Sequence, residues 1–172
     1  MRAWVGAALL LVVGAAPTAA AAPPELLNKT VQVRYTVTIP GRGDDGSTVP
    51  GIRNAVRTIY ISSAGRAFAR VERADGNRGQ FQEKKEAGPG ERGNTLQFQG
   101  RRLIGNMPFV AGASHMEIDF DGGGSSCTAS IVVGRDAGRA LRWKGVNGVT
   151  YTATGAASVS NVACSVSTGN AL

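Results

Sequence analysis

The chain has 172 residues, with 19 Lys and Arg against 12 Asp and Glu, and its formal net charge is +7. That length suits one domain, and the positive charge favours anionic partners over cationic ones. No G-x-S-x-G elbow and no H-E-x-x-H motif occurs, which argues against the common serine hydrolase and zinc protease designs.

The first 21 residues have the pattern of a secretory signal peptide. Arg2 supplies a short positive start, the apolar stretch "AWVGAALLLVVGAA" follows, and Ala19 and Ala21 form an A-x-A cleavage signal. The apolar run is too short for a hydrocarbon core of about 30 Å, which disfavours a retained anchor. Cleavage after Ala21 predicts a single mature domain, residues 22–172, without a transmembrane segment. It would be exported to the periplasm or the medium.

Alternation of apolar and polar residues predicts strands in the first half of the mature chain. The segment "KTVQVRYTVTI" places one apolar face against one polar face, which is typical of a half-buried strand. The glycine- and aspartate-rich "PGRGDDGSTVPG" is predicted as a solvated loop, and its Arg-Gly-Asp tripeptide is interpreted as a product of chance. The residues Thr58–Ser62 and Arg66–Val71 predict a hairpin whose turn ends in a left-handed Gly65. Residues 74–94 are polar, charged and glycine-rich, and we expect a mobile loop.

Short strands are also predicted in the second half of the chain. They are "TLQFQG", "RLIGNMPFV", "SHMEIDFD", "CTASIVV", "GVTYTATG" and "ASVSNVACSVSTG", while residues 136–142 allow one helical turn. With no long helix, the pattern indicates an all-β antiparallel fold of about eight strands. Periodicity alone leaves a β-sandwich and a small β-barrel both open.

The two cysteines are predicted to form a disulfide. Cys127 shares a strand face with Ala129 and Ile131, and Cys164 lies on the apolar parity of the last strand. Two inward cysteines in an exported chain are typical of a structural cross-link. Closing this loop contributes about 4 kcal/mol in the chain-entropy estimate. A metal site or a nucleophilic thiol would need further ligands or an exposed, positively charged setting.

Two groups of polar residues are candidates for a functional site. His115, Glu117 and Asp119 project from one strand face and could bind a cation, although one strand cannot converge three ligands. An outer face neutralised by arginines of the next strand, such as Arg101, explains the same pattern. The second group is a candidate anion-binding set on and after the hairpin. Its members are Arg66, Phe68, Arg70, Arg73 and Arg78, with Arg57 near them in sequence.

Arginine forks bind sulfate, phosphate and carboxylate, and an aromatic residue between them can stack on a sugar or a base. Solvated charges that protect a sheet edge from aggregation are the alternative explanation of these arginines.

At "YISSAGRAF", "SSCTASIVVGRDAG" and "CSVSTGN" the chain resembles small exported proteins of alphaproteobacteria that carry no assigned function. The resemblance implies export and a single β-domain, but no substrate and no catalytic residue.

Three functions follow as hypotheses. The leading one is an exported non-enzymatic β-domain that binds anionic envelope or extracellular polymers. Its partners would be anionic polysaccharide or lipid head groups rather than a specific nucleic acid, and no cofactor is expected. The alternatives are a barrel that carries a small ligand, and a metal-dependent hydrolase centred on the His115 strand.

Overall fold

The computed structural model describes residues 21–75, 80–85, 95–109, 112–133 and 141–172. Within these ranges the chain is all-β, as the alternation predicts, with one 3₁₀ turn at Pro24–Leu26 and antiparallel strands thereafter. The strands are β1 (Lys29–Ile39), β2 (Gly41–Gly43), β3 (Gly51–Ile61), β4 (Ala67–Asp75), β5 (Gln80–Lys85), β6 (Thr95–Gln99), β7 (Arg102–Phe109), β8 (Gly112–Phe120), β9 (Cys127–Val133), β10 (Arg142–Lys144), β11 (Thr150–Ala153) and β12 (Ser158–Thr168).

The described strands form three antiparallel sheets. The five-stranded sheet has the order β12-β1-β3-β4-β5, and the four-stranded sheet has the order β6-β7-β8-β9. A small three-stranded sheet has the order β10-β11-β2. Each of these orders ends in two different strands, so no described sheet closes on itself as a barrel.

The five-stranded sheet is built around β1, whose alternation the sequence predicts. Its apolar face is buried, and its polar face carries the exposed Arg34. The predicted hairpin is confirmed as β3 and β4. Its turn is closed by hydrogen bonds from Ser62 N to Arg66 O at 2.9 Å and from Gly65 N to Ser62 O at 2.9 Å. Gly65 has φ +72°, the left-handed conformation that the turn was expected to need.

The four-stranded sheet supplies a second part of the core. Its buried side chains come from alternate positions of β6, β7 and β8, and they join those of β1, β3 and β4 in one apolar cluster. From the four-stranded sheet this cluster includes Leu96, Phe98, Leu103, Met116, Ile118 and Phe120. Outward positions on the same strands carry the charged and polar residues, as period-two alternation requires.

The predicted disulfide is confirmed, and it joins the two larger sheets. Cys127 begins β9 at one edge of the four-stranded sheet, and Cys164 lies in β12 at one edge of the five-stranded sheet. Their Cα atoms are 5.6 Å apart. The two strands lie close together but are not neighbours in any hydrogen-bonded sheet, so the covalent bond spans the seam between them.

Two predicted loops contain strands, which corrects the sequence interpretation. Gln80–Lys85 form β5 within the segment 74–94, and Gly41–Gly43 form β2 within the glycine-rich loop. A strand at a sheet edge needs only backbone pairing on one side, so a polar segment such as β5 can form one. In β2 the glycines leave room for the Trp143 ring, which a Cβ at Gly41 would overlap.

The remaining local expectations have mixed outcomes. The expected helical turn covers residues 136–142. Its last residue, Arg142, begins β10, whereas residues 136–140 lie outside the described residues. Residues 1–20 of the expected signal peptide also lie outside them, as do residues 76–79 and 86–94 of the expected loop. In the described part of the chain, no helix has the length and apolar character needed to cross a membrane.

Candidate anion-binding surfaces

The outer face of β4 brings together three of the five arginine-site candidates. Alternation buries Ala67 and Ala69, each 3% exposed, and turns Phe68 and Arg70 to the other side of the sheet, together with Arg66, which directly precedes β4. The Arg66 guanidinium lies over the Phe68 ring, 5.7 Å from its centroid, which is the geometry of a cation–π contact. An exposed contact of this kind holds the arginine in place while its donors still face solvent.

The position of Arg66 is set by the hairpin turn. Ser62 Oγ accepts a hydrogen bond from Arg66 N at 3.1 Å, and Ser62 N donates to Arg66 O. On the neighbouring strand, Tyr60 is the register partner of Phe68. Tyr60 OH donates to Asn28 Oδ1 at 3.2 Å, so the aromatic residue beside Phe68 is also anchored. The Arg66–Phe68 pair therefore rests on a well-defined part of the sheet.

Arg70 is held by residues near the end of the chain. Its Nη2 donates to Ala171 O at 3.4 Å. The same segment is fixed to β1, because Thr30 Oγ1 donates to Gly169 O at 2.6 Å and accepts from Ala171 N at 3.2 Å. Thr30 occupies an outward position and is nevertheless buried, since residues 169–171 lie across it. Arg70 thus sits at the border between the covered and the open part of this face.

The other two candidates are not placed on this surface. Arg73 lies in β4, where its register partner is Ala55 of β3. Arg78 lies outside the described residues. Arg57, which is close to them in sequence, is only 2% exposed on the core side of β3.

The surface that we call the β4 face is therefore Arg66, Phe68 and Arg70.

The residues of the metal hypothesis form a ladder of ion pairs on the outer face of the four-stranded sheet. Arg102 Nε contacts Asp119 Oδ1 at 2.6 Å, and Arg102 Nη1 contacts Glu117 Oε2 at 3.2 Å. His115 Nε2 lies 2.8 Å from Glu117 Oε1. Hydrogen bonding to Asp119, together with the charges of Asp119 and Glu117, raises the pKa of Arg102.

The carboxylates of Glu117 and Asp119 therefore both contact the Arg102 guanidinium, where a metal site would need them directed at a metal ion. Among the residues that the structure describes, no group of three or more His, Cys, Asp or Glu is placed to hold a metal ion. The neutralising arginine is Arg102, which register places opposite Asp119. Arg101, which the sequence suggested, instead pairs with Glu25 through its Nε at 3.1 Å.

A stacked aromatic pair in the three-stranded sheet was not anticipated from the sequence. The rings of Trp143 and Tyr151 lie 5.8 Å apart at 18°. Tyr151 OH accepts from Asn147 Nδ2 at 3.1 Å and lies 3.3 Å from Ser47 Oγ. The only sequence signal for this pair is that each aromatic residue lies between two polar ones, in "RWK" and "TYT", as expected for the inward position of a short strand. This pair forms the inner layer of the small sheet.

Comparison of the chain with protein-family models, with curated proteins and with solved structures gives no match.

Proposed function

We propose that this chain is an exported, non-enzymatic β-domain that binds anionic envelope or extracellular polymers through the β4 face. The observation that carries the proposal is the Arg66 guanidinium stacked on Phe68 with Arg70 beside it on the same face. Guanidinium forks suit sulfate and carboxylate groups, and Phe68 and Tyr60 offer apolar surface for a sugar ring. A net charge of +7 on the full chain adds long-range attraction to polyanions.

One observation supports export. The Cys127–Cys164 disulfide is of a kind that persists in oxidising compartments.

We further infer that the five-stranded and four-stranded sheets are the two layers of a β-sandwich. Both sheets contribute their buried faces to a single apolar cluster, and the disulfide ties β9 to β12 at one side. In this architecture the outer face of each layer remains available for contacts, which is what binding through the β4 face requires.

The two alternative functions have less support. A ligand-carrying barrel needs a sheet that closes, whereas the described strand orders are open. A hydrolase on the His115 strand needs carboxylates directed at a metal or a substrate, whereas Glu117 and Asp119 contact Arg102.

Retention on an immobilised sulfated polysaccharide tests the proposal. We expect the R66Q/R70Q variant to elute at lower salt than the wild type, because both guanidinium groups of the β4 face are lost. Replacing Arg73 and Arg78 as well tests the whole predicted arginine set. The matched control is R101Q/R102Q, which removes the same charge from arginines that already face carboxylates.

Equal elution of R66Q/R70Q and the wild type would refute the proposed role of the β4 face. Equal losses in R66Q/R70Q and R101Q/R102Q would also refute it, since net charge alone would then explain retention.

A further inference from the structure

The outer face of the three-stranded sheet carries a row of residues that the proposed function does not use. Register pairs Arg142 with Thr152 and Thr152 with Arg42, and a β-bridge pairs Arg42 with Thr48. Four adjacent segments therefore present arginine and threonine alternately in one line. Since neighbouring strands lie about 4.8 Å apart, the Cα atoms of the two arginines are about 10 Å apart, with Thr152 between them.

This row faces away from the aromatic residues of the sheet. Trp143 and Tyr151 occupy the opposite face and are buried, whereas Arg142, Arg42 and Thr48 are exposed. The opposite face of the sheet is closely packed against β3, because a Cβ at Gly51 of β3 would lie 3.0 Å from Trp143 Cε2. The row is therefore presented by a fixed backbone.

The cationic side chains of this face have few protein carboxylates near them that would compete with an external anion. In the described ranges, Arg42 and Arg142 have no side-chain hydrogen bond or ion pair, and neither has Lys144, which lies one row away opposite Thr150. Two acidic residues lie nearby, Asp44 and Asp45.

Asp45 Oδ1 accepts hydrogen bonds from Ser47 N at 3.0 Å and Ser47 Oγ at 2.6 Å, and these bonds lower the pKa of Asp45. Asp44 is exposed, and its N donates to Thr150 O at 3.1 Å. The two carboxylates do not neutralise the row, because Asp45 is engaged in its own turn and Asp44 adjoins the Lys144 row.

We propose that Arg42, Arg142 and Thr152 form a binding site for a tetrahedral oxyanion, a sulfate or phosphate group. Arg42 and Arg142 lie on the strands on either side of Thr152 and on the same face of the sheet. Their guanidinium groups are long enough to meet at an anion above Thr152, where the threonine hydroxyl can add a third donor. A tetrahedral anion has oxygen atoms on both sides and can accept from two facing forks. A planar carboxylate has only two oxygens and matches one bidentate fork best, so it offers a poorer fit to a second fork on the opposite side.

The site lies on a different sheet from the β4 face, so it goes beyond the proposed function and can fail or succeed independently of it.

Amide chemical shifts measured during titration with inorganic sulfate, inorganic phosphate and acetate, at constant ionic strength, test the site. We expect saturable shifts at the amides of Arg42, Thr48 and Thr152 with sulfate and phosphate, and weaker binding of acetate. In R42Q/R142Q the Kd for the tetrahedral anions should rise by about tenfold or more, because both forks are lost. A preference for one of the two anions would identify its source as a sulfate ester or a phosphate group.

Three further variants separate this site from general charge effects. R42K/R142K keeps the charge but loses the fork geometry, and its Kd should rise several-fold. D44N removes a nearby negative charge and should lower the Kd by about twofold at low salt. R101Q/R102Q, whose arginines already face carboxylates, should bind both anions with the wild-type Kd. The proposal is overturned if the wild type shows no saturable shift at the three amides. It is also overturned if R42Q/R142Q keeps the wild-type Kd.

Discussion

Gly124 shows how a single residue joins two distant segments. It lies in the turn between β8 and β9 with φ +60°, and it is packed against Leu26 and Glu25 of the 3₁₀ turn. Lys29 Nζ donates to Gly124 O at 2.8 Å and ties the same turn to the start of β1. The absence of a side chain at this position lets the N-terminal segment dock.

We expect Gly124→Ala to destabilise the protein by about 1–3 kcal/mol. A Cβ there would lie 2.7 Å from Leu26 Cδ2 and 3.1 Å from Glu25 O, and the backbone conformation would also be strained. Urea unfolding measures the change. The matched control is Gly123→Ala, whose Cβ would have Ser125 Oγ, at 4.0 Å, as its nearest neighbour. Equal unfolding free energies for the two variants would contradict the packing role of Gly124.

The hydrogen bonds of Asp121, in the same turn, predict that the stability of the fold depends on pH. Its carboxylate accepts from Ser125 N and Ser125 Oγ, both at 2.7 Å, and these hydrogen bonds lower the pKa of Asp121 to about 2. Because the folded-state pKa is below the ordinary value of 3.8, the stability from these bonds is present above about pH 4. It is lost as the pH falls toward 2.

Urea unfolding at about pH 6 and about pH 3 tests this expectation. The wild type should lose more stability between these conditions than Asp121→Asn, which has no carboxylate to protonate at this position. Asp44→Asn serves as the control, since no described hydrogen bond involves the Asp44 carboxylate. The same pH dependence in wild type and Asp121→Asn would argue against the turn as its source.

At the scale of strands, alternation was a reliable guide where one face of the strand meets the core. It correctly assigned the inward positions of β1 and β8, and it placed Phe68 and Arg66 on one outward face of β4. The parity of Cys127 and Cys164 likewise predicted their disulfide. In each case burial of one face leaves a period of two in the sequence.

The sequence was a poor guide where pairing partners are distant or where burial is weak. β2 and β5 lack an apolar face, so nothing in their composition distinguishes them from loops. The choice of Arg102 over Arg101 as the partner of Asp119 depends on register, which alternation along one strand does not specify. The row of Arg42, Thr152 and Arg142 depends on pairing between segments about 100 residues apart.

The strands β9 and β12 provide the test of the disulfide. We expect the double variant C127A/C164A to lose about 2–4 kcal/mol of unfolding free energy, because the unfolded chain gains conformational entropy. In addition, β9 and β12 are not paired by backbone hydrogen bonds that could replace the cross-link. Reduction of the wild type under the same conditions should give a similar loss. Unchanged stability in both samples would contradict a stabilising role for the cross-link.

At the scale of the whole molecule, positive charge is unevenly neutralised over the described surface. The outer face of the four-stranded sheet balances Arg102 against Asp119 and Glu117, and Arg101 is paired with Glu25. The five-stranded and three-stranded sheets instead present exposed arginines, Arg34 and Arg66 on one and Arg42 and Arg142 on the other. Under the proposed function, this asymmetry would direct a polyanion toward two of the three sheets.

The claim that the β4 face binds an anionic polymer is tested most directly by the salt dependence of affinity for a sulfated oligosaccharide. On a plot of log K against log salt, the wild type should show a steep negative slope. R66Q/R70Q should bind more weakly, with a slope reduced in magnitude by roughly one to two, because fewer counterions are displaced. R101Q/R102Q should keep the wild-type slope. Equal slopes and affinities for R66Q/R70Q and the wild type would contradict the claim.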